Sequence, residues 1–135
     1  MASLDEIIDR VCDAAGADFA FVLTRRGRLA TRRAPQDMPE PGRSEIVRLA
    51  EDLLRKDRNF AHIELPRQAL VPYGGAAPVD VYVAARDEAI LCVVMATYVQ
   101  QHNVAPAMSA AMHELDDLLD AEGERRMNRR ARGAP

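Results

Sequence analysis

Val79–Ala96 reads "VDVYVAARDEAILCVVMA", and the order of the whole domain follows from how this stretch is paired. Val79, Val81 and Val83 alternate with other residues, which is the period of a strand with one buried face. After "RDE" at 86–88, "AILCVVMA" runs apolar without a break from Ala89 to Ala96. A strand with no polar face belongs in the middle of a sheet. Three intervening residues leave room only for a tight turn, so the two strands are antiparallel neighbours.

Working outward, "FAFVL" at 19–23 is a second short apolar run, followed by the turn signal "RRG" and a polar segment, "RLATRRA" at 28–34. The first is expected as a buried strand and the second as an edge strand. "FAHIELP" at 60–66 alternates in part, with Ile63 and Leu65 on one side and His62 and Glu64 on the other. Its strand falls between Phe60 and Tyr73, and Pro66 and Pro72 favour an edge or a bend. Three segments have helical spacing. Ser3 to Ala15 carries Leu4, Ile7, Ile8, Val11, Cys12 and Ala15 on one stripe, with Ser3 and Glu6 at capping-box spacing and Gly16 as a stop. After the proline-rich loop "PQDMPEPG" at 35–42, Ser44 is expected to cap a helix with Ile46, Leu49, Ala50, Leu53 and Leu54, ending near Asp57. Asn103 and Pro106 open the last helix, whose stripe is Met108, Ala111, Met112, Leu115, Leu118 and Leu119. The expected order is αββαβββα: an α+β domain with a five-stranded antiparallel sheet and helices on both faces.

The chain has 135 residues, enough for one well-buried core. Its net charge is -3, but the five arginines of "RRMNRRAR" (125–132) come after the last acid, Glu124. The residues before them therefore hold all 21 acids and 13 of the 18 bases. This divides the chain into an acidic domain at 1–121 and a basic, flexible tail at 122–135. All bases but Lys56 are arginine, which with the many alanines reads as GC-rich coding and a bacterial origin. The start "MASLDEIIDR" lacks the pattern of a secretory leader, and no apolar run approaches the length of a membrane span. A soluble, cytoplasmic protein is the expectation. Cys12 and Cys92 are both expected to be buried, reduced thiols.

No arrangement of residues announces a reaction. His62, His102 and His113 have no ligand spacing with one another or with the cysteines. "YGGAAP" lacks the lysine and following helix of a phosphate cradle, and Ser44 and Ser109 have no elbow motif around them. The acids of "HELDDLLDAEGE" (113–124) fall on the solvent side of the last helix. No catalytic residue, cofactor or metal is expected, and the chain is read as a non-enzyme.

The cluster "RRGRLATRR" at 25–33 holds five arginines in nine residues. On a strand, residues two apart share a face, so Arg32 and Arg33 point opposite ways. No aromatic follows Phe21 here, and a single-strand nucleic-acid platform needs stacking rings. Three readings stay open: a solvated edge that discourages aggregation, a protein-partner surface made of Arg25, Arg26, Arg28 and Arg32, and a nucleic-acid contact, the weakest of the three.

The element order, with "GADFAFVLTRRGRLATRR", the 79–96 hairpin and "HNVAPAMSAAMHELDDLL", resembles the roadblock/dynein light chain superfamily over residues 3–121. That family often has an aspartate before the glycine of its first hairpin, where this chain has Thr24, Arg25 and Arg26. The resemblance implies a non-catalytic homodimer or heterodimer, formed by side-by-side packing of the middle helices and pairing of the third strands. Carried to this sequence, the dimer surface comprises Ile46, Leu49, Ala50, Leu53, Phe60 and Ile63. It further implies partnership with a small Ras-like GTPase, a roadblock paralogue or a response-regulator-like protein, in the control of bacterial cell polarity or motility. Relatives of the MglC type are adaptors; those of the MglB type activate the GTPase by rearranging its own residues. Both roles are open to this chain, the adaptor being the first reading.

Overall fold

The computed structural model describes residues 3–31, 37–86, 89–97 and 100–133, with side chains up to residue 118. The elements are α1 (Leu4–Ala15), β1 (Phe19–Thr24), α2 (Glu40–Arg55), β2 (Phe60–Pro66), a 3-10 turn (Arg67–Ala69), β3 (Pro78–Ala85), β4 (Ala89–Ala96) and α3 (Val104–Gly133). The four strands form one antiparallel sheet in the order β1-β4-β3-β2. β3 and β4 are the expected hairpin, closed by mutual hydrogen bonds between Arg86 and Ala89. β4, buried at every position, lies inside the sheet.

The sheet divides two apolar layers. On one face, α1 and α3 cover Ala20, Val22, Leu91, Val93 and Met95 with Ile7, Ile8, Val11, Met108 and Leu115. On the other, α2 places Ile46 and Ala50 over Phe21, Leu23, Val81, Val83, Cys92 and Val94. Helices thus lie on both faces, as expected. α1 starts where Ser3 Oγ accepts the Glu6 N–H at 3.3 Å. It ends at Gly16, whose φ of 69° is the left-handed conformation that stops the helix and returns the Ala17 N–H to the Cys12 carbonyl. α3 runs on to Gly133, so its backbone includes most of the segment set apart as the tail.

Two expectations are corrected. First, among the described residues the sheet has four strands, not five: of the segment expected as a strand at 28–34, the described part, 28–31, forms only an isolated bridge, Leu23 to Leu29. Thr24 N–H bonds the Arg28 carbonyl and Ala30 N–H bonds the Val22 carbonyl, which starts a ladder. The next rung would take the Val22 N–H to the Ala30 carbonyl. Instead the buried Thr31 hydroxyl accepts that N–H at 3.3 Å and the pairing stops. Residues 32–36, the rest of this segment and part of the loop after it, lie outside the described residues.

Second, α2 begins at Glu40, not at Ser44, and its start has no side-chain cap. Pro41 is inside the first turn, where a missing N–H costs no intrahelical bond. Gly42 is buried against the 3-10 turn, and a Cβ there would sit 1.9 Å from the Ala69 carbonyl oxygen. Pro39, Pro41 and Gly42, which read as loop, are instead the entry and close packing point of a helix.

Candidate interaction site

β2 is a free edge of the sheet among the described residues. The Asn59 carbonyl takes the Ala85 N–H and the Arg67 N–H goes to the Ala77 carbonyl, at the two ends of the β2–β3 ladder. Antiparallel bonding alternates, so Ala61, Ile63 and Leu65 exchange bonds with β3. Phe60, His62 and Glu64 then turn their N–H and C=O groups away from the sheet. Their side chains are exposed as well, and Phe60 is 40% exposed, next to Tyr82.

Of the residues expected at a dimer surface, Ile46, Ala50 and Leu53 are buried in the chain's own core. Leu49 and Ile63 are only partly buried, and with Phe60 they are the expected interface residues still accessible. At 100° per residue, Leu49 lies on one flank of α2, with Glu45 and Asp52. Val47 and Arg43 lie on the other.

That second flank meets the arginine turn. Gly27 adopts φ 82°, and a Cβ there would lie 3.6 Å from the Val47 side chain. Arg43 Nη1 donates to the Gly27 carbonyl at 3.2 Å, tying the turn to α2. Between them is a groove of about 370 Å³, bordered by Arg25, Arg26, Arg43, Arg48, Glu40 and Glu51. Arg25, Arg26 and Arg28 are exposed; Arg32 lies outside the described residues. The sequence placed two of these arginines in one cluster, but Arg43 stands just before the expected cap, Ser44, and Arg48 lies within the helix expected after it. Only the fold brings the two sets together.

On the opposite face, sequence reasoning missed a polar network. His62 Nε2 is 2.7 Å from Asp80 Oδ1, and Gln101 Nε2 donates to Asp80 Oδ2 at 2.6 Å and to the Ala96 carbonyl at 3.3 Å. Tyr82 donates its hydroxyl to Gln101 Oε1 and stacks on the His62 ring, with centroids 4.6 Å apart. Burial acts to raise the Asp80 carboxyl, but the hydrogen bonds from Gln101 and His62 and the His62 charge hold it below the ordinary aspartate value. Burial and then the Asp80 charge push the Tyr82 hydroxyl up. The signal in the sequence was Asp80 and Tyr82 on the face of β3 opposite its valines. The network joins the edge strand, the next strand and the approach to α3.

Among the described residues, no group of three or more His, Cys, Asp or Glu is placed to hold a metal ion, and no helix is long and apolar enough to cross a membrane. Both cysteines are free thiols. Cys92 is buried as expected, and desolvation alone drives its pKa far above the ordinary value. Cys12 is only partly buried; burial first, and then Asp13, Asp9 and Asp18, raise it too.

No protein-family model and no curated protein matches this chain. Solved structures do. Myxococcus xanthus MglB superposes with a TM-score of 0.62 at 14% identity, over 87% of this chain and 94% of that one. The gliding protein MglB of Thermus thermophilus gives a TM-score of 0.54 at 14% identity, covering 82% and 87%. An MglB in a tetrameric arrangement gives 0.52 at 16%, with the same coverage. At such identities the likeness speaks to the fold alone, and the expectation from sequence is met there: the chain folds like MglB.

Proposed function

We propose that this protein is a non-catalytic, homodimeric roadblock-type adaptor in a small Ras-like GTPase system that controls bacterial cell polarity or motility. The observation that carries the reading is the open β2 edge beside the half-exposed Leu49 flank of α2, in a chain with the MglB fold. An edge with unpaired backbone groups, next to apolar side chains, suits an isologous contact in which two β2 strands pair and the sheets continue across a two-fold axis. The tetrameric arrangement of one MglB structure supports self-association as a property of this architecture. A second reading, direct activation of the GTPase, is favoured by the same fold likeness.

Two measurements test these readings. Light scattering of the full chain is expected to give a dimer, and Leu49→Asp a monomer, because a carboxylate at a desolvated apolar contact is strongly disfavoured. A monomeric wild type removes the dimer. GTP hydrolysis by a cognate Ras-like GTPase is expected to be unchanged at saturating protein. A large acceleration would replace the adaptor by the activator.

A further inference from the structure

We infer that the groove between the Thr24–Arg28 turn and the first turns of α2 is a receptor for an acidic peptide segment of a partner protein, read by its carboxylates. Four guanidinium groups from two elements, Arg25 and Arg26 on the turn and Arg43 and Arg48 on the helix, border one depression of about 370 Å³. Arg25 and Arg26 form no ion pair with any described residue. Arg48 has only an exposed contact with Glu45 at 3.6 Å. Among the described residues no ion pair neutralises Arg25 or Arg26, although the body around them is strongly acidic.

Arg43 lines the groove from the helix side. Its Nη1 is committed to the Gly27 carbonyl, which fixes the plane of the guanidinium. Its Nε–H is buried with no acceptor, the one such side-chain group among the described residues. A buried donor without a partner carries a desolvation cost that an incoming acceptor removes. A carboxylate matches the remaining Nε and Nη2 edge in the side-on, two-bond geometry that arginine offers. Slight movement of the long, exposed side chains at the rim would admit it.

The groove also discriminates among anions. Glu40 and Glu51 stand among the arginines. A nucleic-acid backbone presents only acceptors and unbroken negative charge, and would meet these carboxylates with repulsion. A peptide alternates carboxylates with backbone N–H groups, and so can satisfy arginine and glutamate together. Among the described residues no aromatic ring borders the groove, so bases would have nothing there to stack on. The chain's own end is basic and is no candidate occupant. The site lies on the flank of α2 opposite Leu49, so this inference stands apart from the dimer reading.

The test is a nuclear magnetic resonance titration of the full chain with hexaglutamate, inorganic phosphate and single-stranded oligothymidylate as separate probes. With hexaglutamate, the amides of Arg25–Arg28 and Glu40–Glu51 should shift, and the Arg43 Nε–H signal should move as it gains an acceptor. Arg25→Glu with Arg26→Glu, both exposed and remote from the core, should weaken binding about tenfold or more. Arg43→Lys keeps the charge but has no Nε–H of this kind; it should weaken binding while leaving the rest of the spectrum in place. Shifts confined to the arginines of 125–132, or none at the groove, overturn the assignment. Stronger shifts at the groove with phosphate or oligothymidylate than with hexaglutamate overturn the carboxylate reading.

Discussion

Asp80 is an acid in a strand of valines, and its neighbours explain how it is tolerated there. Both carboxylate oxygens are hydrogen-bonded, one facing His62 and one taking Gln101 Nε2, so the charge is solvated by side chains in place of water. The folded-state pKa is depressed, and the sign of the linkage follows. Stability from this group is fully present above the ordinary aspartate value of 3.8 and is lost as pH falls through the lower folded value. Asp80→Asn should therefore be less stable than wild type at neutral pH, and the gap should close in acid, below about pH 4. Urea melts across this range measure it, and a gap that stays constant with pH would show that the charge at Asp80 contributes nothing. Removing the acceptors altogether with Asp80→Ala takes the partner from His62 Nε2 and leaves Gln101 Nε2 only the Ala96 carbonyl, and should cost about 1–3 kcal/mol.

At the scale of elements, α2 is held by a contact the sequence disguised. Gly42 lets the helix backbone approach the 3-10 turn so closely that any side chain would overlap the Ala69 carbonyl, a backbone atom with no rotamer to yield. In an exposed helix, glycine to alanine is stabilising by up to about 1 kcal/mol. Here Gly42→Ala should destabilise by roughly 1–3 kcal/mol, as overpacking does, with the melting temperature as readout. A neutral or stabilising result would mean the helix can slide off the turn. The same pair of elements shows what sequence could and could not reveal. The 79–96 hairpin, the Ser3 and Gly16 ends of α1 and the Met108–Leu115 stripe were legible, because each is written in local spacing that burial only confirms. The entry of α2 was not, since proline and glycine signal a loop unless one knows that Ala69 lies against them. The fifth strand, absent among the described residues, was hidden for a related reason. "RLATRRA" has the composition of an edge strand, and one hydroxyl, Thr31, takes the Val22 N–H that the rung after the Leu23–Leu29 bridge would use.

At the scale of the whole molecule, α2 acts as a divider. Its inner face, Ile46, Ala50 and Leu53, is buried, and Ile46 and Ala50 close the core over β3. This is why the residues expected at a dimer surface split into those that hold the fold and those still accessible. One outer flank carries Leu49, the residue of the proposed dimer contact, and the other carries Arg43 towards the arginine turn. A dimer built on the first flank and β2 would leave both copies of the groove open and facing away from the two-fold axis, giving one assembly two equivalent acidic-peptide receptors. The two surfaces should then separate by mutation. Leu49→Asp should lose the dimer in light scattering while each chain still takes up hexaglutamate with nearly the wild-type affinity. Arg25→Glu with Arg26→Glu should lose the peptide and remain dimeric. Combining all three changes should give the sum of the two defects, because sites that share no partners add. If the arginine changes also dissociated the dimer, the two flanks would be one continuous interface and α2 would not divide them. If Leu49→Asp abolished hexaglutamate binding while the spectrum stayed folded, the receptor would need both subunits, and the groove would be half of a site completed across the dimer.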